Sequence, residues 1–73
     1  MKRELTTPNY YQSRGVEVID FIEAFDLGFC LGNVVKYIAR AGKKGSRMED
    51  LMKAQDYLLR EIMTTRKRDT NAE

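Results

Sequence analysis

Three stretches of the chain repeat their apolar residues with a helical period, and none alternates apolar and polar residues over a strand's length. In the first, Val18, Ile19, Ile22 and Phe25 fall on the inner side of a helix expected over residues 16–25. In the second, Leu31, Val34, Val35 and Ile38 follow the i, i+3, i+4, i+7 spacing that gathers side chains on one flank of a 3.6-residue helix, and this flank is expected to be core. The third runs from Met48 to about Thr65, where a stripe of Leu51, Ala54, Leu58 and Ile62 is widened by Met48, Met52, Leu59 and Met63. The pattern predicts an all-α fold, a small three-helix domain over residues 15–65 with an extended N-terminal arm (1–14) and a polar, frayed C-terminal tail (66–73).

The punctuation between the stripes agrees with these boundaries. Residues 1–12 have no helical period, and Pro8 disfavours helix at Thr7. Gly15 ends the arm with a turn, and Asp26-Leu27-Gly28 separates the first two helices, with Asp26 the expected N-cap of the second. Gly28 and Gly32 each cost about 1 kcal/mol relative to alanine inside a helix. Either a close helix crossing offsets that cost, or a phosphate resting on the N–H groups near Gly28 to Leu31 does. Gly42 closes the second helix, and Ser46 with Glu49 is a capping box for the third. The intervening Gly42-Lys43-Lys44-Gly45 joins two helices and lacks the glycine spacing and Lys-Ser/Thr ending of a phosphate-binding loop between strand and helix.

A chain of 73 residues buries only about 60% of its surface on folding, so its own core is marginal. With 42% hydrophobic and 33% charged residues it is too apolar for disorder, and the methionine-edged width of the third stripe leads us to expect a homo-oligomer. The single cysteine, Cys30, lies in an apolar run and is expected to be an inert thiol. No stretch approaches the roughly 18 apolar residues of a membrane span and none reads as a signal peptide, so no membrane partner and a cytoplasmic location are expected.

Charge changes the picture through its placement. The net charge is only +2, yet residues 33–47 carry Lys36, Arg40, Lys43, Lys44 and Arg47 without an acid, while the other eight bases face eleven acids. Asn33, Lys36, Tyr37 and Arg40 form a second, polar stripe on the middle helix. Lys36 and Arg40 are one turn apart and can reach a single anion, with Lys53 outside this basic window. Lys43 and Lys44 extend the candidate site into the loop, and Tyr10 and Tyr11 are adjacent aromatics that cannot face one way on an extended arm, so one is expected to dock and the other to stack. The plain alternative is a solvated basic face. Asp20 and Glu23, i and i+3 on the first helix, either complement its dipole or share a Mg²⁺ or Mn²⁺. Asp56, Arg60 and Glu61 read as solvated, and no catalytic base is evident.

The run from Gly15 to Phe25, continuing through Phe29 to Asn33, Lys36 to Ile38, Arg40 to Lys44, Asp50-Leu51, Lys53-Ala54 and Tyr57-Leu58, resembles a small phage and prophage family long classed as a domain of unknown function. The resemblance covers roughly residues 8–62. Members are often described as nucleotide kinases, after a related kinase of T7-like phages without the familiar phosphate-binding loop. The resemblance implies a phage-encoded helical protein associated with nucleotides, with Gly32, Asn33, Lys36, Tyr37, Arg40, Gly42 and Lys44 as the matching motif positions. The family usually has a His-Tyr pair after the proline; this chain has Tyr10-Tyr11 and no histidine.

Three functions fit these residues. A binder of a nucleotide or nucleotide-derived signal, such as one that sequesters a host defence messenger, needs only cations for phosphate, Tyr37 or Tyr10 for a base, and Asn33 for base or ribose edges. It needs no cofactor. A nucleotide kinase or metal-dependent phosphohydrolase needs Mg²⁺ as well. A nucleic-acid-binding module would turn the polar stripe of the middle helix outward.

Overall fold

The computed structural model describes residues 9–13 and 15–71. The arm before Asn9, with Pro8, and the end of the tail at 72–73 lie outside these residues. A 3-10 turn (Asn9–Tyr11) leads into β1 (Gln12–Ser13) and β2 (Val16–Glu17), then α1 (Val18–Ala24), α2 (Gly28–Arg40) and α3 (Arg47–Asn71). The chain is all-α apart from this minimal hairpin, in which Gln12 pairs with Glu17 and Ser13 with Val16, antiparallel. The expectation of no strand is thereby corrected. Gly15, at φ 80°, permits the reversal, and pairing holds Val16 and Glu17 extended, so α1 starts two residues later than the periodicity suggested.

Asp26 is corrected too. It is not the N-cap of α2 but the left-handed residue that ends α1, at φ 52°. Its N–H donates to Glu23 O at 3.1 Å and the N–H of Leu27 to Ile22 O at 3.2 Å, the paired bonds of a Schellman ending. Gly32 explains itself by packing: a Cβ there would sit 3.1 Å from Ile22 Cγ2, so α1 crosses α2 over a bare backbone. Gly28 has open space around it and is required by its φ of 81°. Gly42, at φ 80°, closes α2, and Ser46 Oγ accepts the Glu49 N–H at 3.2 Å to start α3. The third helix does not fray near Thr65. It runs 25 residues to Asn71, about 37 Å, through the segment expected to be tail.

The helices lie side by side. Ile22 of α1 meets Gly32, while Tyr37 and Arg40 meet Tyr57 and Asp50 of α3, so α1 and α3 flank α2 on opposite sides. The principal extents are 47 × 33 × 15 Å, and the shortest is scarcely more than one helix diameter of about 10–12 Å. The radius of gyration, 14.5 Å, exceeds the roughly 11 Å of a compact chain of this length.

A single layer has little interior. Among the described residues the buried apolar side chains are Ala41 and Ala54, and Gly32 is buried against Ile22 of α1. The flank of α2 expected to be core is therefore only partly covered: Leu31, Val34 and Val35 are half-buried, and Ile38 is 56% exposed. On α3 the residues turned to α2 are Asp50, Ala54, Tyr57 and Glu61, with Leu51, Leu58 and Ile62 at the edge of the contact, 38%, 43% and 39% exposed. Cys30 is a half-buried thiol.

Candidate functional site

The polar stripe of α2 lands in the seam with α3. Phe29, Asn33, Tyr37 and Arg40 recur at helical spacing, and α3 answers with Asp50, Lys53 and Tyr57 at the same spacing. Tyr37 stacks on Tyr57 with centroids 6.0 Å apart and planes 14° from parallel, and Phe29 meets Tyr57 edge-on at 5.8 Å. Three cations surround the Tyr37 ring: Arg40 Cζ at 4.8 Å, Lys36 Nζ at 5.0 Å and Lys53 Nζ at 5.5 Å from its centroid. The electron-rich ring offsets part of the repulsion among them.

Arg40 is anchored. Its Nη2 and Nε donate to Asp50 Oδ1 at 2.6 and 3.1 Å, and the two side chains are only 16% and 4% exposed. The hydrogen bond from Arg40 holds the Asp50 carboxyl below the usual carboxylate range against the opposing effect of burial, with Lys53 and the Gly42 backbone adding to it. The same bond raises the guanidinium's pKa further, so both groups stay charged. Tyr11 stands beside the pair. Burial pushes its phenol up, and Arg40 partly counters that.

Beside Tyr37 and Tyr57 opens a groove of about 430 Å³, lined also by Lys53, Asp56 and Arg60. One wall is aromatic and the rim is mixed in charge, a combination suited to a flat ring carrying an anionic group. Lys53, Tyr57, Asp56 and Arg60 were not among the residues expected to form the site. Lys53, Tyr57 and Arg60 continue from Asp50 at i, i+3, i+7, i+10 on α3, the sequence signal that marks these four as one stripe, with Asp56 beside it. Lys53, although outside the basic window of the sequence, faces the same ring as Lys36.

The other candidates divide. Asn33 donates its amide N–H to Phe29 O at 2.9 Å, within its own helix. Tyr10 and Tyr11 meet edge-on at 4.5 Å, both half-buried, so neither stands clear as a stacking platform. Lys44 Nζ lies 5.9 Å from the Tyr10 ring, and Lys43 borders a separate apolar hollow of about 230 Å³ with Tyr10, Tyr11, Val18 and Phe21. Asp20 and Glu23 sit on α1, and among the described residues no three His, Cys, Asp or Glu side chains gather as a metal-binding group. No helix among the described residues is long and apolar enough to cross a membrane.

Comparison with known proteins agrees with the resemblance seen in the sequence. The chain is 43% identical over 67 residues to the Gene 1.7 protein of Enterobacteria phage T3, an alignment covering 78% of this chain. It spans only 40% of that relative's length. No solved structure matches significantly. The profile of a family described as "Protein of unknown function (DUF3310)" matches residues 5–59, most of the chain, and with the phage relative it places this protein in the DUF3310 family.

Proposed function

We propose that the protein binds a nucleotide or a nucleotide-derived signalling molecule in the groove between α2 and α3, and that it acts by sequestering that molecule. The observation that carries this reading is the Tyr37 ring, stacked on Tyr57 and bordered by Lys36, Lys53 and the anchored Arg40, at the edge of an open groove. A base lies against the exposed portion of the Tyr57–Tyr37 stack, which tolerates any base because every base has a π-face. Lys36, Lys53 and Arg60 meet the phosphates as mobile cations. Arg40 contributes fixed positive charge, since two of its donors are committed to Asp50.

Calorimetry with nucleoside mono-, di- and triphosphates, with inorganic phosphate as the comparison, tests the reading. Nucleotides bind more tightly than phosphate alone, and Lys53→Ala weakens binding by roughly five- to tenfold, as expected for a solvent-exposed charge-assisted contact. Resolving the products after incubation with Mg²⁺ separates sequestration from phosphoryl transfer: unchanged nucleotide supports sequestration, and a new phosphorylated species contradicts it. Equal affinity for phosphate and nucleotides, or none for either, contradicts the binding site itself.

A further inference from the structure

The groove beside Tyr37 and Tyr57 does not end at Arg60. A second groove, of about 460 Å³, continues from it toward the C-terminal half of α3, and the two share Asp56 and Arg60. Leu59 and Met63, 54% and 60% exposed, give the second groove an aliphatic floor, and Thr64 and Lys67 line it beyond Arg60. Lys53, Arg60 and Lys67 recur every seven residues on one continuous helix, so they form a row of cations about 10.5 Å apart. All three are exposed, and none is paired with a carboxylate among the described residues. A mononucleotide stacked on Tyr57 has its one base placed already and makes no use of Met63 or Lys67.

We propose that the two grooves together hold a dinucleotide: one base against Tyr57 and Tyr37, the linking phosphate at Arg60, the second base on Met63 and the terminal 5′-phosphate at Lys67. This rests on the reading that the first groove binds a nucleotide, and it adds the second nucleotide and the residues that take it. Of the three cations in the row Arg60 alone lines both grooves, and its planar fork matches two phosphate oxygens. The thioether of Met63 packs well on a flat ring, and the Thr64 hydroxyl both donates and accepts, as a base edge requires. Asp56, the other shared residue, only accepts hydrogen bonds when ionised, so it suits a ribose hydroxyl rather than a phosphate. A longer single strand fits less well. Past Met63 the floor of the second groove continues at helical spacing as Arg66 and Thr70, and before Lys53 the row meets Glu49, so no third apolar platform follows for a third base.

Calorimetry of the full chain with AMP and with the 5′-phosphorylated diadenylate pApA tests it. The dinucleotide binds roughly tenfold more tightly than AMP, the gain expected from one more stacked base. Lys67→Ala and Met63→Ala each weaken pApA by roughly three- to fivefold and leave the affinity for AMP unchanged, because both residues lie outside the first groove. Both side chains are exposed, so the fold is retained, which circular dichroism checks. Backbone amide NMR needs no variant: pApA shifts Met63, Thr64 and Lys67 together with Tyr57, and AMP shifts Tyr57 without them. AMP binding as tightly as pApA, folded Lys67→Ala and Met63→Ala variants that hold pApA as wild type does, or a twelve-nucleotide oligoadenylate whose shifts extend beyond the two grooves would each overturn this inference and leave the first groove a nucleotide site. Binding of neither AMP nor pApA would overturn both readings.

Discussion

Arg40 has two jobs that a list of basic residues does not distinguish. Its guanidinium faces the Tyr37 ring from 4.8 Å, yet its donors to Asp50 tie the end of α2 to the first turn of α3. Removing it strands a nearly buried carboxylate, which is far more disruptive than losing a solvated charge. Arg40→Ala is accordingly expected to lower the melting temperature by roughly 10 °C or more, whereas Lys36→Ala shifts it by only a degree or two. Thermal melts of both variants check this. The pair also sets an acid limit. The folded Asp50 carboxyl titrates below its ordinary value of 3.8, so its contribution is complete above that pH and is lost as pH falls through the lower folded value. Denaturant titrations between pH 5 and pH 2 should show a steep loss of stability in wild type and a shallower one in Asp50→Asn, which starts less stable.

At the scale of elements, much of the fold was legible because its signals are local. The Ser46–Glu49 box starts α3, and Gly42 ends α2, for reasons that need no tertiary contact. Asp26 misled because aspartate serves equally at an N-cap and, occasionally, in a left-handed helix ending, and only the bonds from Asp26 and Leu27 back into α1 decide between them. Asp26→Gly should relieve the left-handed conformation and stabilise the protein by up to about 1 kcal/mol, measurable by urea unfolding. A loss of stability would mean that the Asp26 side chain holds something the backbone reading omits. The basic stripe of α2 and the Asp50-Lys53-Tyr57 stripe of α3 could each be read from spacing, but not that they face each other, because the rotation of α3 against α2 is set by packing. Apolar periodicity pointed α3 inward through Leu51, Ala54, Leu58 and Ile62; Ala54 is buried as expected, but Asp50 and Tyr57 meet α2 while Leu51, Leu58 and Ile62 stay at the edge of the contact.

For the whole molecule, that rotation accounts for the small core. The larger aliphatic residues of α3 border the seam while charged and aromatic ones enter it, and the result is a layer with hardly any core of its own. The proposed binding site at Tyr37 and Tyr57 can be mapped residue by residue. The most direct measurement is a backbone amide NMR titration with a nucleoside triphosphate against inorganic phosphate. The account predicts that the largest nucleotide-specific shifts fall on Lys36, Tyr37, Lys53, Tyr57 and Arg60, while Leu51, Leu58 and Ile62 stay unmoved. Shifts centred instead on Tyr10, Lys43 and Lys44, or no difference between nucleotide and phosphate, would contradict it.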